Sequence, residues 1–425
     1  MRTRRIAVTG RRTAAADRAP RATRGRRSPL TESNLRLIWK EQRISRAEIS
    51  RRTGLSRSTV SETVDALLPT GLVAEVGVGP SNGGRPPVLL EFRDDAFCIL
   101  GVDMGAAHVT VVLTDLRGRV LATEHRRHAV RDDPAGARAL IAELCGRCLA
   151  RSPRAEEKLV GLGVAVPSPV DPRHPGRLSE VVLPAWRGSL GLDGLAQRLG
   201  VPLMADNDAN LAALAERWWG AGRDVDNFAF IKVATGVGMG HVINGRIYRG
   251  ATGVAGEIGH LSVDPNGQPC ICGLRGCLAT VVGAPALVAR ARALLAEHPD
   301  SVLAGAEPTL DAIEDAALAG DALALRLVHE AADNLGRAVA GLLNLMNPSL
   351  LVFGGGLARL GDVLLDPLRE TIRHRTLISS LVACEIRTSE LGGQATAVGA
   401  ATFVLKAALA NPSLFPTVTP SRSRR

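Results

Sequence analysis

Four residues able to hold a metal ion fall close together: His260, Cys270, Cys272 and Cys277, within GEIGHLSVDPNGQPCICGLRGC at 256–277. Three thiolates and one imidazole make the tetrahedral donor set of a structural zinc site. Pro265, Gly267, Pro269, Gly273 and Gly276 let a short loop fold back on the ion. A disulfide is the competing chemistry. Seven cysteines in 425 residues, with no apolar signal segment, argue against a disulfide framework. Four protein ligands leave no open coordination position, so the metal would shape a loop and not react. Cys145 and Cys148 stand in C-x-x-C spacing on an expected helix, with no second pair nearby, and read as buried core thiols. No Ser-His-Asp arrangement with local context is present.

A second constellation lies near the N-terminus. Ser45 precedes RAEISRRTG with Glu48 three residues on, a capping box, and Gly54 ends that helix. Ser56 then caps RSTVSETVDALLPTG, whose Val60, Val64, Leu67 and Leu68 form an apolar stripe. Leu35, Leu37, Ile38 and Trp39 give a preceding helix its apolar face. Helix, glycine turn and helix over about twenty residues predict a helix-turn-helix. Two short apolar runs, 71–76 and 88–92, flank the turn-rich GVGPSNGGRPP and predict a wing. Candidate DNA contacts are Arg46, Ser56, Arg57, Ser58, Thr59 and Ser61 around the leading turn, with Arg85 at the wing tip. A helical pair used for protein contacts is the competing reading. Residues 28–93 carry nine basic and seven acidic side chains, so specific contacts and dimer geometry must carry much of the affinity.

The formal net charge of +10 sits in the tails. Residues 1–27 hold ten arginines against Asp17, and the last six residues hold three more, so the body is close to neutral. Both ends, 1–27 and 413–425, are expected to be disordered basic tails. For the leader, nonspecific phosphate contact, a transit peptide and an early start codon are the alternatives. No apolar run approaches the roughly 18 residues of a membrane span, so a cytoplasmic protein with no membrane partner is expected.

From about residue 94 strands and helices alternate. Strands are expected at 99–103, 109–115 and just beyond, a helix at 134–150 and a strand at 159–166. A strand–strand–strand–helix run appearing twice predicts a two-lobed α/β body, 94–412, with a cleft between lobes.

These residues carry a resemblance. The chain is similar to the ROK family (repressors, open reading frames and sugar kinases) from about Ser28 to Ala401. Family members carry G-E-x-G-H followed by C-x-C-G-x-x-G-C, which residues 256–277 reproduce. Asn207-Asp208-Ala209-Asn210, the glycine-rich segment 235–240 and Gly354-Gly355-Gly356 fit as well. The resemblance implies an actin-like, ribonuclease-H-like fold, and the winged helix-turn-helix implies the regulator branch. It further implies that Asn207, Asp208, Glu257 and His260 reach sugar hydroxyls, with Asp208 the base in any kinase. Trp186 either packs beside that site or fills core.

Two departures bear on chemistry. Family kinases carry D-x-G-G-T; this chain reads Asp103-Met104-Gly105-Ala106-Ala107-His108. A methyl group then stands where backbone must approach phosphate, and a hydroxyl is lost. Kinases follow the zinc loop with G-C-x-E, whose glutamate position is Ala279 here; Ser168 replaces a glycine of many relatives. Losing one buried hydrogen bond to a sugar costs about 1–3 kcal/mol. The expectation is a sugar-responsive repressor, a homodimer or homotetramer on a palindromic DNA operator, with the zinc loop relaying cleft closure. The alternative is a sugar kinase using ATP and Mg2+ that also binds DNA.

Overall fold

The computed structural model describes residues 29–80, 86–305, 307–376 and 384–416. The leader 1–27, the wing-tip Arg85 and residues 417–425 lie outside the described residues.

The N-terminal domain runs α1 (Pro29–Glu41), β1 (Arg43–Ser45), α2 (Arg46–Thr53), α3 (Arg57–Leu67), β2 (Val73–Val78) and β3 (Val88–Phe92). Ser45 Oγ accepts from Glu48 N at 3.2 Å and Ser56 Oγ accepts from Thr59 N at 3.1 Å, so each helix begins at its predicted cap. Gly54, at φ 71°, closes the turn by donating its N–H to Ser50 O. The reciprocal half of the capping box is not made, because the Glu48 carboxylate turns outward to Arg51 and Arg52. β2 and β3 pair antiparallel as the wing, and β1, unanticipated from the pattern, adds to the far edge of β3. Leu35, Ile38, Ile49, Val60, Val64 and Leu67 are fully buried between the helices and this sheet.

The body then contributes β4 (Cys98–Met104), β5 (His108–Thr114), β6 (Val120–Arg127), α4 (Pro134–Ala150), β7 (Leu159–Val166), α5 (Asp193–Leu199) and β8 (Leu203–Asn207). α6 (Asp208–Trp219) leads out of this first lobe into β9 (Phe228–Val233), β10 (Val237–Ile243) and β11 (Arg246–Tyr248). The second lobe continues through α7 (Ala279–Val282), α8 (Ala284–Leu294), α9 (Leu310–Leu318), α10 (Ala322–Met346), β12 (Leu350–Gly354), α11 (Asp362–Arg375) and β13 (Glu385–Thr388). α12 (Ala395–Ala410) returns to the first lobe.

Both lobes have one sheet plan. The first is ordered β6-β5-β4-β7-β8 and the second β11-β10-β9-β12-β13, each with three antiparallel strands extended by two parallel ones. The doubled run predicted from sequence is therefore a doubled topology.

α6 and α12 pack on each other between the sheets. Glycine permits the approach: a Cβ at Gly163 would strike the Ala400 backbone, and one at Gly399 would strike Leu211 O. Residues 392–410 do reach the length and apolarity of a membrane span, unlike the sequence expectation, yet two-thirds of the segment is buried inside the protein. Ordered packing also runs past the expected boundary at 412, since Phe415 is buried with its ring centroid 5.3 Å from that of Phe97.

Candidate functional site

A cleft of about 280 Å3 opens between the lobes, and Asn207, Asp208, Glu257 and His260 all line it. Helix capping positions the first pair. Asn207 ends β8 and caps α6, its Oδ1 accepting from Asn210 N at 3.1 Å while its Nδ2 donates to Ser168 O. That leaves Asp208 on the first turn of α6, where its carboxylate benefits from the helix dipole.

The cleft also holds a cation that sequence spacing did not single out. Lys232, on β9 of the second lobe, places Nζ 2.8 Å from Asp208 Oδ2 and 3.8 Å from Asp103 Oδ1 on β4 of the first. Burial alone would depress the Lys232 ammonium, but the charges of Asp103 and Asp208 outweigh it and hold it above the ordinary lysine range. Burial likewise works against the Asp103 carboxylate, and Lys232 together with His108 keeps it below its ordinary value. This buried triad ties the lobes together. Among the described residues Asp103 Oδ1 accepts no hydrogen bond, and the Lys232 charge at 3.8 Å is what compensates this buried oxygen.

The altered phosphate loop is occupied from within. His108 Nε2 lies 3.2 Å from Asp103 Oδ2, and its ring packs so closely on the loop that a Cβ at Gly105 would run into it. Ala106 and Ala279 both face the cleft. Trp186 does not: it is buried in the first lobe, donating Nε1–H to Val130 O at 2.8 Å beneath the Arg138 guanidinium. Cys145 and Cys148 are buried on α4, and burial pushes their thiols up to about 12 and about 11, the opposite of an activated thiolate.

His260 joins the cleft to the metal loop. Its Nδ1 lies 3.4 Å from Cys270 Sγ, while its Nε2 lies 3.7 Å from Glu257 Oε2. Glu257 is pushed up to about 7, first by burial and then by the neighbouring Asp208 charge. Cys272 and Cys277 Sγ are 3.6 Å apart, and one donor atom from each of the four residues lies within 4.8 Å of the others. A tetrahedral zinc–thiolate site has edges of about 3.8 Å, so the spacing fits a metal and not a disulfide. Gly276, at φ 61°, is required by the fold-back, since a side chain there would collide with Asp264 O. Among the described residues these four can therefore hold a metal ion.

In the N-terminal domain Arg57 and Ser58 are exposed at the start of α3, and Thr59 and Ser61 are partly exposed beside them. Ser56 is spent on the cap, with Ser58 and Thr59 hydroxyls within 2.9 Å. Arg46 pairs instead with Glu75 on the wing at 2.6 Å and Asp65 at 3.1 Å.

The comparisons agree with this architecture. The model of the ROK family matches residues 99–407, and that of a winged helix-turn-helix DNA-binding domain matches 35–73. The chain belongs to the ROK family. The xylose repressor of Caldicellulosiruptor bescii is 29% identical over 382 residues, 89% of this chain and 96% of the relative. The crystal structure of a ROK family transcriptional regulator, a homologue of the E. coli MLC protein, superposes with a TM-score of 0.75 at 27% identity, covering 91% of this chain and 98% of that one. A ROK glucokinase from Streptomyces griseus, solved with glucose and AMPPNP, superposes with a TM-score of 0.63 at 30% identity, covering 72% and 98%.

The winged helix-turn-helix module and the ROK body meet through tryptophans. Trp39 of α1 lies 5.2 Å from Trp218 and 6.1 Å from Trp219, ring centroid to ring centroid, at the C-terminal end of α6. Its Nε1–H donates to Leu116 O, and Arg117 stacks over its ring at 4.6 Å. Trp219 in turn donates to Thr402 Oγ1 on α12 at 2.8 Å. Sequence reading assigned Trp39 to its own domain's core; its amphipathic helix offered no sign of the partner.

Proposed function

We propose that this chain is a DNA-binding transcriptional repressor whose operator affinity is set by a sugar held in the interlobe cleft. One observation carries the reading: α6 begins at Asn207–Asp208 in the cleft and ends at the Trp218–Trp219 seat of the DNA-binding domain. Twelve helical residues span about 18 Å as a rigid rod, so a shift of the α6 N-terminus moves the Trp39 contact. This route replaces the zinc loop as the direct relay. The loop's part is to hold His260 and Glu257 in place.

Asn207, Asp208, Glu257 and His260 are proposed to pair with sugar hydroxyls, as amides and carboxylates do. A structural Zn2+ on His260, Cys270, Cys272 and Cys277 would fix the imidazole so that its second nitrogen faces the cleft. Arg57, Ser58, Thr59 and Ser61 are proposed to enter the major groove, with the half-site spacing of a symmetric dimer or tetramer setting register. Titrating a pentose and hexose panel against operator binding at fixed salt tests the reading, since one sugar must weaken the complex. Unchanged affinity across the panel counts against it.

Sugar phosphorylation is the second reading, favoured by Asp208 standing in the cleft. Lys232 on that carboxylate and His108 in the phosphate loop oppose it. ADP release abolished by Asp208→Asn would establish the kinase.

A further inference from the structure

A second cavity, of about 660 Å3, lies beside β8 on the outer side of the first lobe, well over twice the volume of the cleft. Val170, Pro172, Leu190, Met204 and Phe403 give it apolar walls. Asp193, whose carboxylate has no hydrogen-bond or ion-pair partner among the described residues, also lines it. Arg249 and Lys406 supply its cations. Arg249 is held in place by the buried Asp206, Nε to Oδ2 at 2.9 Å, with its guanidinium carbon 5.9 Å from the Phe403 ring centroid.

Lys406 comes from α12, and among the described residues its side chain has neither a hydrogen bond nor an ion pair; the same holds for the side chains of Arg246 on β11 and Arg36 on α1. All three arginines, 36, 246 and 249, act on Lys406 through their charge, and Asp206 is the carboxylate opposing them. Burial first, then this repulsion, holds the Lys406 ammonium below the ordinary lysine range. Arg36 and Arg246 act from outside the lining, so four cations, Lys406 included, stand against two carboxylates, Asp206 and Asp193, and Asp206 is already engaged by Arg249. A net positive field is left at this partly apolar cavity. Such crowding opposes folding unless an anion relieves it.

We propose that this cavity binds a phosphate-bearing metabolite of monosaccharide size, its phosphate taken by Lys406 and Arg249 and its hydroxylated body lying toward Asp193. The volume falls within the range of small-molecule sites, and a lining that offers both a carboxylate and a cation pair matches a ligand carrying hydroxyls and an anion. A DNA backbone would also answer the charge. Its rod shape, however, makes no use of a walled cavity. The site is separate from the sugar cleft, and the inference does not rest on the cleft's assignment.

Calorimetric titration of the full chain with glucose 6-phosphate, glucose and inorganic phosphate tests it. Glucose 6-phosphate should bind more tightly than inorganic phosphate. Lys406→Ala and Arg246→Ala, which both leave Asp206 paired with Arg249, should each weaken that binding, Lys406→Ala by at least roughly tenfold, as expected for loss of a charge-assisted contact. Binding lost in Asp208→Asn but kept in Lys406→Ala would place the ester in the sugar cleft and overturn the proposal. So would the absence of binding, equal affinity for inorganic phosphate, or a Lys406→Ala defect confined to operator affinity.

Discussion

Lys232 is the residue on which the two readings of the cleft divide. Its ammonium bridges the kinase-base position Asp208 and the phosphate-loop Asp103, where a phosphoryl enzyme needs room for metal and nucleotide. Lys232→Met would leave two buried carboxylates facing each other, so a loss of roughly 3–5 kcal/mol in denaturant unfolding is expected. Adding Asp103→Asn should recover part of it; an unaltered midpoint in the single variant would show that the triad adds nothing. The sign with pH follows from the shifts. Asp103 is depressed in the fold, so its contribution is present above its unfolded value and lost as pH falls through the folded one. Lys232 is raised, so its contribution is present below its unfolded value and lost as pH rises through the folded one. The wild-type contribution should therefore be complete from about pH 5 to about pH 9 and shrink on both sides. In Lys232→Met the facing carboxylates take up a proton at higher pH, so the deficit of the variant should narrow first on the acid side. None of this was legible in IKVATG, because a lysine in a strand carries no mark of the carboxylates it meets.

At the scale of elements, α6 and the metal loop make separable predictions. Trp39→Ala removes the ring seated on Trp218 and Trp219 without touching the cleft. Sugar affinity by calorimetry should hold, while sugar-driven release of operator DNA should fall sharply; full release in this variant would rule out α6 as the relay. Cys272→Ser should cost both metal content and sugar response, since His260 would lose its anchor. A metal-free variant binding sugar normally would break that connection. On α3, Arg57→Ala should weaken operator binding by about 1–3 kcal/mol and lower its salt dependence. The helices and their caps were readable from Ser45, Gly54 and Ser56 because capping is local chemistry. β1 was not, since three residues become a strand only when β3 lies alongside.

For the whole molecule, the shared core is decisive. Leu35, Ile38 and Phe92 of the DNA-binding domain pack in one cluster with Ile99, Val160, Val404 and Leu405 of the body. Two modules joined this way are not beads on a linker, and a ligand that favours one lobe arrangement must bias the other module. Sugar and operator should therefore antagonise each other by the same factor in either order of addition, measurable as sugar affinity with and without bound operator DNA. An effect in one direction only would be inconsistent with equilibrium coupling.

By itself the sequence determined whatever depends on neighbours along the chain. The four candidate metal ligands within eighteen positions, the two serine caps, the glycine turn and the doubled strand run all appeared together in the structure where spacing put them. Tertiary structure alone decided what Lys232, His108, Trp39 and Lys406 do. Each is an ordinary residue of its own strand or helix, and each acquires its role from groups carried on other elements: Asp103 and Asp208 around Lys232, the Gly105 loop against His108, Trp218 beneath Trp39, and Arg36 with Arg246 around Lys406. Charge and ring contacts act through space at a few ångströms, and the chain's order of residues records that proximity only after it has folded.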